Sequence, residues 1–255
     1  MAVNKEIIKR CIIDKREEIL SVEVVERPFQ FEAKANYVFV GLRRVGKSYM
    51  LYQRVRQLLA AGTKITDILF VNFEDERLSE LTADDLNAIL EAHYEMSDSG
   101  TKPVLFFDEI QNVEHWDKFV RRLADAKYTI YVTGSNAKML SSDVATTLGG
   151  RFLIHDVYPY TFAEYLRANH TELPANWQYS TVEKSRVTGM FNGYFKFGGL
   201  PETVYFADKR AVVQSLYQKI YLGDICARNN IRNSKVMGLV VRKLAESVKQ
   251  PTSYN

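Results

Sequence analysis

The sequence predicts an α/β fold: a three-layer parallel-sheet domain carrying a phosphate-binding loop, followed by a small helical lid. Three observations predict it. Gly41-Leu42-Arg43-Arg44-Val45-Gly46-Lys47-Ser48 is a complete G-x-x-x-x-G-K-[ST] loop. It lies between an apolar run, Tyr37-Val38-Phe39-Val40, and a helix-like run from Tyr49 to Leu59, the context that the motif requires. Apolar runs then alternate with helical patterns, the signature of a doubly wound parallel sheet. Beyond Thr171 the composition changes and no clear strand pattern follows.

The elements follow in chain order. Asn4 to Leu20 sets Ile7, Ile8, Cys11, Ile12 and Ile19 at helical spacing with charges between them. Glu23 to Lys34 is an irregular connector containing Pro28. The core then reads strand 37–41, helix 47–61, strand 67–73, helix 82–95, strand 103–108, helix 113–126 and strand 128–133. Thr82-Ala83-Asp84-Asp85 resembles a capping box at a helix start. A fifth strand fits Phe152 to Val157, with a helix over 161–169. Thr171 to Ser180 is polar and loop-like, and helices follow at Val182–Met190, Ala211–Ile225 and Ser234–Lys249. Among these helices Phe191, Tyr194, Phe195, Phe197, Tyr205 and Phe206 are expected to form lid core rather than a base-stacking platform. The organisation expected is an N-terminal helical segment over 1–24, a nucleotide core over 25–170, and a helical lid with a truncated C-terminal region over 171–255. Truncation is expected because Gln250 to Asn255 resembles the entry to another helix.

Composition narrows the setting. A chain of 255 residues at 46% hydrophobic content supports one large or two modest domains. A net charge of +3 calls for neither nucleic acid nor a membrane surface. Cys11 and Cys226 are far apart and match no metal or redox spacing, so a reduced cytoplasmic setting is the default. Met1 to Arg10 carries charges where a signal peptide needs an apolar core, and no run reaches the ~20 apolar residues of a membrane span.

The loop carries the chemistry. Its glycines let successive backbone N–H groups turn inward around phosphate oxygens, and the following helix adds its positive dipole end. Lys47 is placed to reach the β- and γ-phosphates, and Ser48 offers a hydroxyl to Mg2+. The nucleotide-binding set is therefore Gly41, Arg43, Arg44, Val45, Gly46, Lys47, Ser48 and Tyr49, although Arg43 and Arg44 could instead lean on the lid or a partner. Downstream, Val104-Leu105-Phe106-Phe107 is a buried-strand run ending in Asp108 and Glu109. Asp108 is the expected second metal group, and Glu109 is placed to polarise the attacking water. A third strand ends in Thr133-Gly134-Ser135-Asn136, beside the crevice where ligands bind in open α/β sheets. Ser135 or Asn136 is expected to sense the γ-phosphate or orient the water.

Together these motifs resemble the AAA+ superfamily, and within it a bacterial and archaeal group whose members continue into a winged helix and a C-terminal domain of unknown function. The likeness rests on Gly41–Ser48 with its Arg43-Arg44 pair, Phe106-Phe107-Asp108-Glu109-Ile110-Gln111 and Thr133–Asn136. Gly149-Gly150-Arg151, Tyr158–Leu166 and Tyr194–Pro201 add to it. The resemblance implies an ASCE-type sheet, in which the strand ending at Val132 separates the strand bearing Asp108 from the phosphate-loop strand. It implies that Arg151 is an arginine finger, in cis or in trans, against the alternative of a surface arginine at a strand start. It also implies that Pro201, in Gly199-Leu200-Pro201, lies against the adenine.

The function expected is Mg2+-dependent ATP binding and hydrolysis coupled to lid motion, with ATP and ADP as ligands and a homo-oligomer possible. The alternative is a nucleotide-held switch or DNA-associated helper with very slow turnover. Glu109 favours hydrolysis, since a pure binder needs no second acid. ATP is preferred because the chain lacks the Asn/Thr-Lys-x-Asp guanine motif. Scattered lysines and arginines give nucleic acid no stripe to follow, and the macromolecular partner stays open.

Overall fold

In strand β1 (Asn36–Gly41), side chains alternate between two cores. Val38 and Val40 join one apolar cluster, and Tyr37 and Phe39 join the other. The same division runs through β2 (Ile68–Asn72), β3 (Val104–Asp108) and β4 (Ile130–Ser135). In this computed structural model, which describes residues 4–97, 100–135, 146–227, 231 and 234–247, those strands and β5 (Phe152–Val157) form one sheet in the order β2-β3-β4-β1-β5. All four strand pairings in it are parallel. The predicted α/β class is what is found, with β4 between β3 and β1 as the resemblance implied.

Helices cover both faces. On one, α3 (Leu86–Met96) and α4 (Trp116–Asp125) supply Leu86, Ile89, Trp116, Phe119 and Val120. On the other, α2 (Lys47–Ala60) supplies Met50, Leu51, Tyr52 and Val55 beneath an aromatic layer of Phe39, Tyr131, Phe106 and Phe70. Helix α1 (Lys5–Ser21) packs along edge strand β2 and α3. Ile8, Cys11 and Ile12 enter the first core and Ile19 the second, so α1 closes that edge of the sheet across both layers.

Several boundaries differ from the sequence pattern for identifiable reasons. The capping box is present, but its first turn, Ala83–Asp85, is 3₁₀, and α3 begins only at Leu86. Helix α4 begins at Trp116 because Glu109 and His115 hold positive φ values of 52° and 57°. Strand β4 begins at Ile130, since Lys127 turns at φ 64°, and it runs two residues further than expected.

The chain divides into two compact units: Met1–Ala175 with Gly199–Pro201, and Asn176–Gly198 with Glu202–Asn255. After β5 the first unit adds α5 (Phe162–Ala168), opened by a Thr161–Glu164 capping box. The second contains α6 (Thr181–Phe197), α7 (Glu202–Tyr205), α8 (Lys209–Gln218), a π-helical stretch Lys219–Ala227 and α9 (Ser234–Glu246). Its aromatics correct one expectation. Phe195 is 80% exposed, and Phe191, Tyr205 and Phe206 are also on the surface, so they do not form lid core. Successive helical turns bring Phe191 to Phe195 at 6.2 Å, a contact between neighbours on one helix face.

One buried polar group makes a pH prediction. His93 of α3 is buried, with Arg16 Nη2 3.5 Å from its Nδ1, and the same guanidinium donates to the Ile68 carbonyl at 3.0 Å. Burial, then the Arg16 charge, pushes His93 down to about 4 from 6.5. The depressed value means His93 favours the fold while it stays neutral. That contribution is complete above pH 6.5 and is lost as pH falls toward 4. At 1.36 kcal/mol per pH unit it is worth about 3 kcal/mol. His93→Gln should therefore gain about 3 kcal/mol relative to wild type between pH 7 and pH 4. Urea unfolding of both proteins at each pH checks this, and a constant difference would sink it.

Candidate functional site

The phosphate loop joins β1 to α2 and is shaped by two glycines. A Cβ on Gly41 would stand 2.5 Å from the Val157 carbonyl oxygen, so only glycine allows β5 to approach the loop entrance. Gly46 caps α2 at φ 97°, a conformation that side chains rarely adopt. Val45 is buried and anchors the loop in the second core. The first hydrogen bond of α2 runs from the Met50 amide to the Gly46 carbonyl at 3.1 Å. The amides of Lys47, Ser48 and Tyr49 thus have no acceptor within the helix and stand at its positive end.

The charged groups converge there. Lys47 is 4% exposed, and its ammonium donates to the carbonyls of Leu42 at 3.2 Å and Gly41 at 3.4 Å. It also lies 3.4 Å from the Glu109 carboxylate. Asp108, fully within the sheet, accepts hydrogen bonds from the Thr133 hydroxyl at 2.5 Å and from Ser48. Burial pushes its pKa up to about 6, against the lowering effect of those two hydroxyls. The Glu109 amide donates to the same Thr133 oxygen at 2.9 Å, and Gln111 Nε2 donates to the Glu109 carboxylate at 2.5 Å. Thr133 therefore holds both acids.

Sequence reasoning passed over that threonine in favour of Ser135. The register Phe107↔Val132 was the missing signal, because it sets Thr133 level with Asp108. Ser135 pairs with Gly41 through the strand backbone, which places that position beside the loop entrance. Asn136 lies outside the described residues. Arg43 is half-buried and Arg44 exposed at φ 61°. The Tyr49 side chain is exposed, which leaves its amide as the group available to a phosphate. Pro201 belongs to the first unit, and its Cγ lies 3.8 Å from where a Cβ on Gly46 would stand. The Tyr160 amide fixes that segment by donating to the Gly199 carbonyl at 2.7 Å.

Arg151 stands apart from the loop of its own chain. It precedes β5, whose first residue pairs with Asn36 at the start of β1, while the loop follows the end of β1. Five residues of strand separate the two levels, about 16 Å at the strand rise. Its Nε pairs instead with Asp125 at 2.6 Å. Arg151 thus lies at the opposite end of the strands from the phosphate loop of its own chain.

Ser48 and Asp108 offer hard oxygen ligands, the type Mg2+ takes, and Mg2+ sites of this kind use one or two protein oxygens with phosphates and water. Among the described residues no cluster of three His, Cys, Asp or Glu side chains stands ready to hold a metal by itself. The pair fits a cation that arrives with a phosphate ligand.

Fold and site together define a P-loop protein of the AAA+ class. The family described as AAA domain matches residues 33–166, just over half of the chain, and the chain belongs to that family. An uncharacterized protein of Methanocaldococcus jannaschii is 36% identical over 92% of this chain and 52% of its own length. An uncharacterized protein of Haemophilus influenzae is 33% identical over 84% of this chain and 52% of its own. The chain thus spans about half the length of the curated relatives it matches. Among solved structures, the S. cerevisiae Hsp104-ADP complex aligns at 12% identity and TM-score 0.45, covering 98% of this chain and 40% of that one. Cdc6p of Pyrobaculum aerophilum aligns at 13% and 0.39, covering 76% and 56%. Among the described residues no helix is long and apolar enough to cross a membrane.

Proposed function

We propose that this chain binds ATP with Mg2+ and hydrolyses it to ADP and phosphate. The observation that carries the proposal is Thr133, which ties Asp108 and Glu109 together one ion pair away from Lys47. The loop amides and Lys47 bind the phosphates, and a γ-phosphate competes with Glu109 for the ammonium. Ser48 and Asp108 would hold Mg2+, which would offset the negative charge of the bound phosphates. Glu109, steadied by Gln111, orients a water toward the γ-phosphate and takes its proton. Pro201, beside Gly46, packs on the nucleotide and relays its presence to the lid helices on either side of Gly199–Pro201.

Arg151 completes this site from a neighbouring copy, since it cannot reach its own. Turnover per chain should then rise with protein concentration. Arg151→Ala should slow hydrolysis by about 10³-fold or more while leaving affinity within a few-fold. Phosphate release over a concentration series, with and without Mg2+, tests both statements. Wild-type turnover in Arg151→Ala at every concentration would make Arg151 a surface residue. ATP binding without turnover would favour the nucleotide-held switch instead.

A further inference from the structure

We propose that Lys15, Glu18 and Tyr52 form a positioning network behind the metal side of the nucleotide site, and that its charge sets the Mg2+ concentration the site requires. The inference rests on the ATP-Mg2+ assignment above and extends it to α1, which lies outside the family match at 33–166. Tyr52 follows Ser48 by four residues on α2, so the two share one helix face. Its hydroxyl donates to Glu18 Oε1 at 2.7 Å and accepts from Lys15 Nζ at 3.5 Å. Lys15 and Glu18 pair at 2.5 Å, with the Lys15 side chain 15% exposed and that of Glu18 49%. The Tyr52 ring lies 5.5 Å from Phe70, whose ring stacks at 5.8 Å on Phe106, two residues before Asp108. Arg56, one turn further along α2, donates to the Ile19 carbonyl at 3.2 Å and to that of Val22, so the end of α1 is fastened to α2 just beyond the triad.

Electrostatic reach supports the geometry. Burial is the main influence on both Asp108 and Tyr52 and raises the pKa of each; the Lys15 charge acts against it at Asp108, and the Glu18 hydrogen bond and then the Asp108 charge add to it at Tyr52. A cation held there repels an arriving dication, and Glu18 masks it. A purely structural pair predicts that breaking it from either side has the same effect. A charge-setting pair predicts opposite effects.

The test is the Mg2+ dependence of mant-ATP binding, followed by fluorescence anisotropy, so that no turnover is needed. Lys15→Met should lower the half-saturating Mg2+ concentration and Glu18→Gln should raise it, each by about three- to tenfold, the order expected of one unit charge acting through protein. The double variant should return to within about twofold of wild type. Thermal melts identify any variant that has lost its fold, and Tyr52→Phe, which removes only the hydroxyl linking the pair to α2, should raise the Mg2+ requirement. Shifts of the same sign for Lys15→Met and Glu18→Gln, or none, would overturn the network while leaving the ATP-Mg2+ assignment standing. Wild-type binding of mant-ATP that ignores Mg2+ would overturn both.

Discussion

Lys47→Ala should abolish tight ATP binding, weakening it by about 100-fold or more. The ammonium is the loop's single buried cation, with two carbonyls and one carboxylate to hold it in place. Removing it takes away charge-assisted contacts worth about 1.5–3 kcal/mol each. It also leaves Glu109 facing the γ-phosphate with no positive charge between them. Calorimetric titration with ATP and Mg2+ reads the loss directly. Unchanged affinity would defeat the phosphate-loop assignment whatever the turnover.

Glu109→Gln should keep affinity within a few-fold and slow phosphate release by about 10²–10⁴, the range for a general base. The substitution preserves size and hydrogen bonding, and Thr133 contacts the Glu109 amide rather than its carboxylate, so the strand end should stay in place. Losing the negative charge also frees Lys47 for the nucleotide, so affinity should rise rather than fall. Single-turnover phosphate release and binding on one preparation separate the two effects. If both vanish together, Glu109 is structural.

Most of the sheet was legible in the sequence because its strands are apolar on both faces. Tyr37–Val40 and Val104–Phe107 are runs that only a doubly covered strand requires. Strand order was not legible from periodicity and came with the family likeness. The pairing of Thr133 with Asp108 was hidden because it depends on register, and a strand end misjudged by two residues moved attention to Ser135. The exposed aromatics of α6 and α7 misled for another reason. Their abundance signals burial only if a partner element exists to cover them, and composition does not show where that element lies. Arg151 could be weighed as a donor from its type, but its distance from the loop follows from its place at the start of β5 rather than the end.

Helix α1 has a consequence for self-association. A sheet with two bare edges can add copies at both and grow without limit. Here the β2 edge lies under α1, and Arg16 already occupies the Ile68 carbonyl. The opposite edge, β5, displays Leu153 and Ile154, each about half exposed. Among the described residues no strand pairs with the outer edge of β5, so two copies joined strand to strand there would use up that edge in each, and the stack would end at a pair instead of extending into a filament.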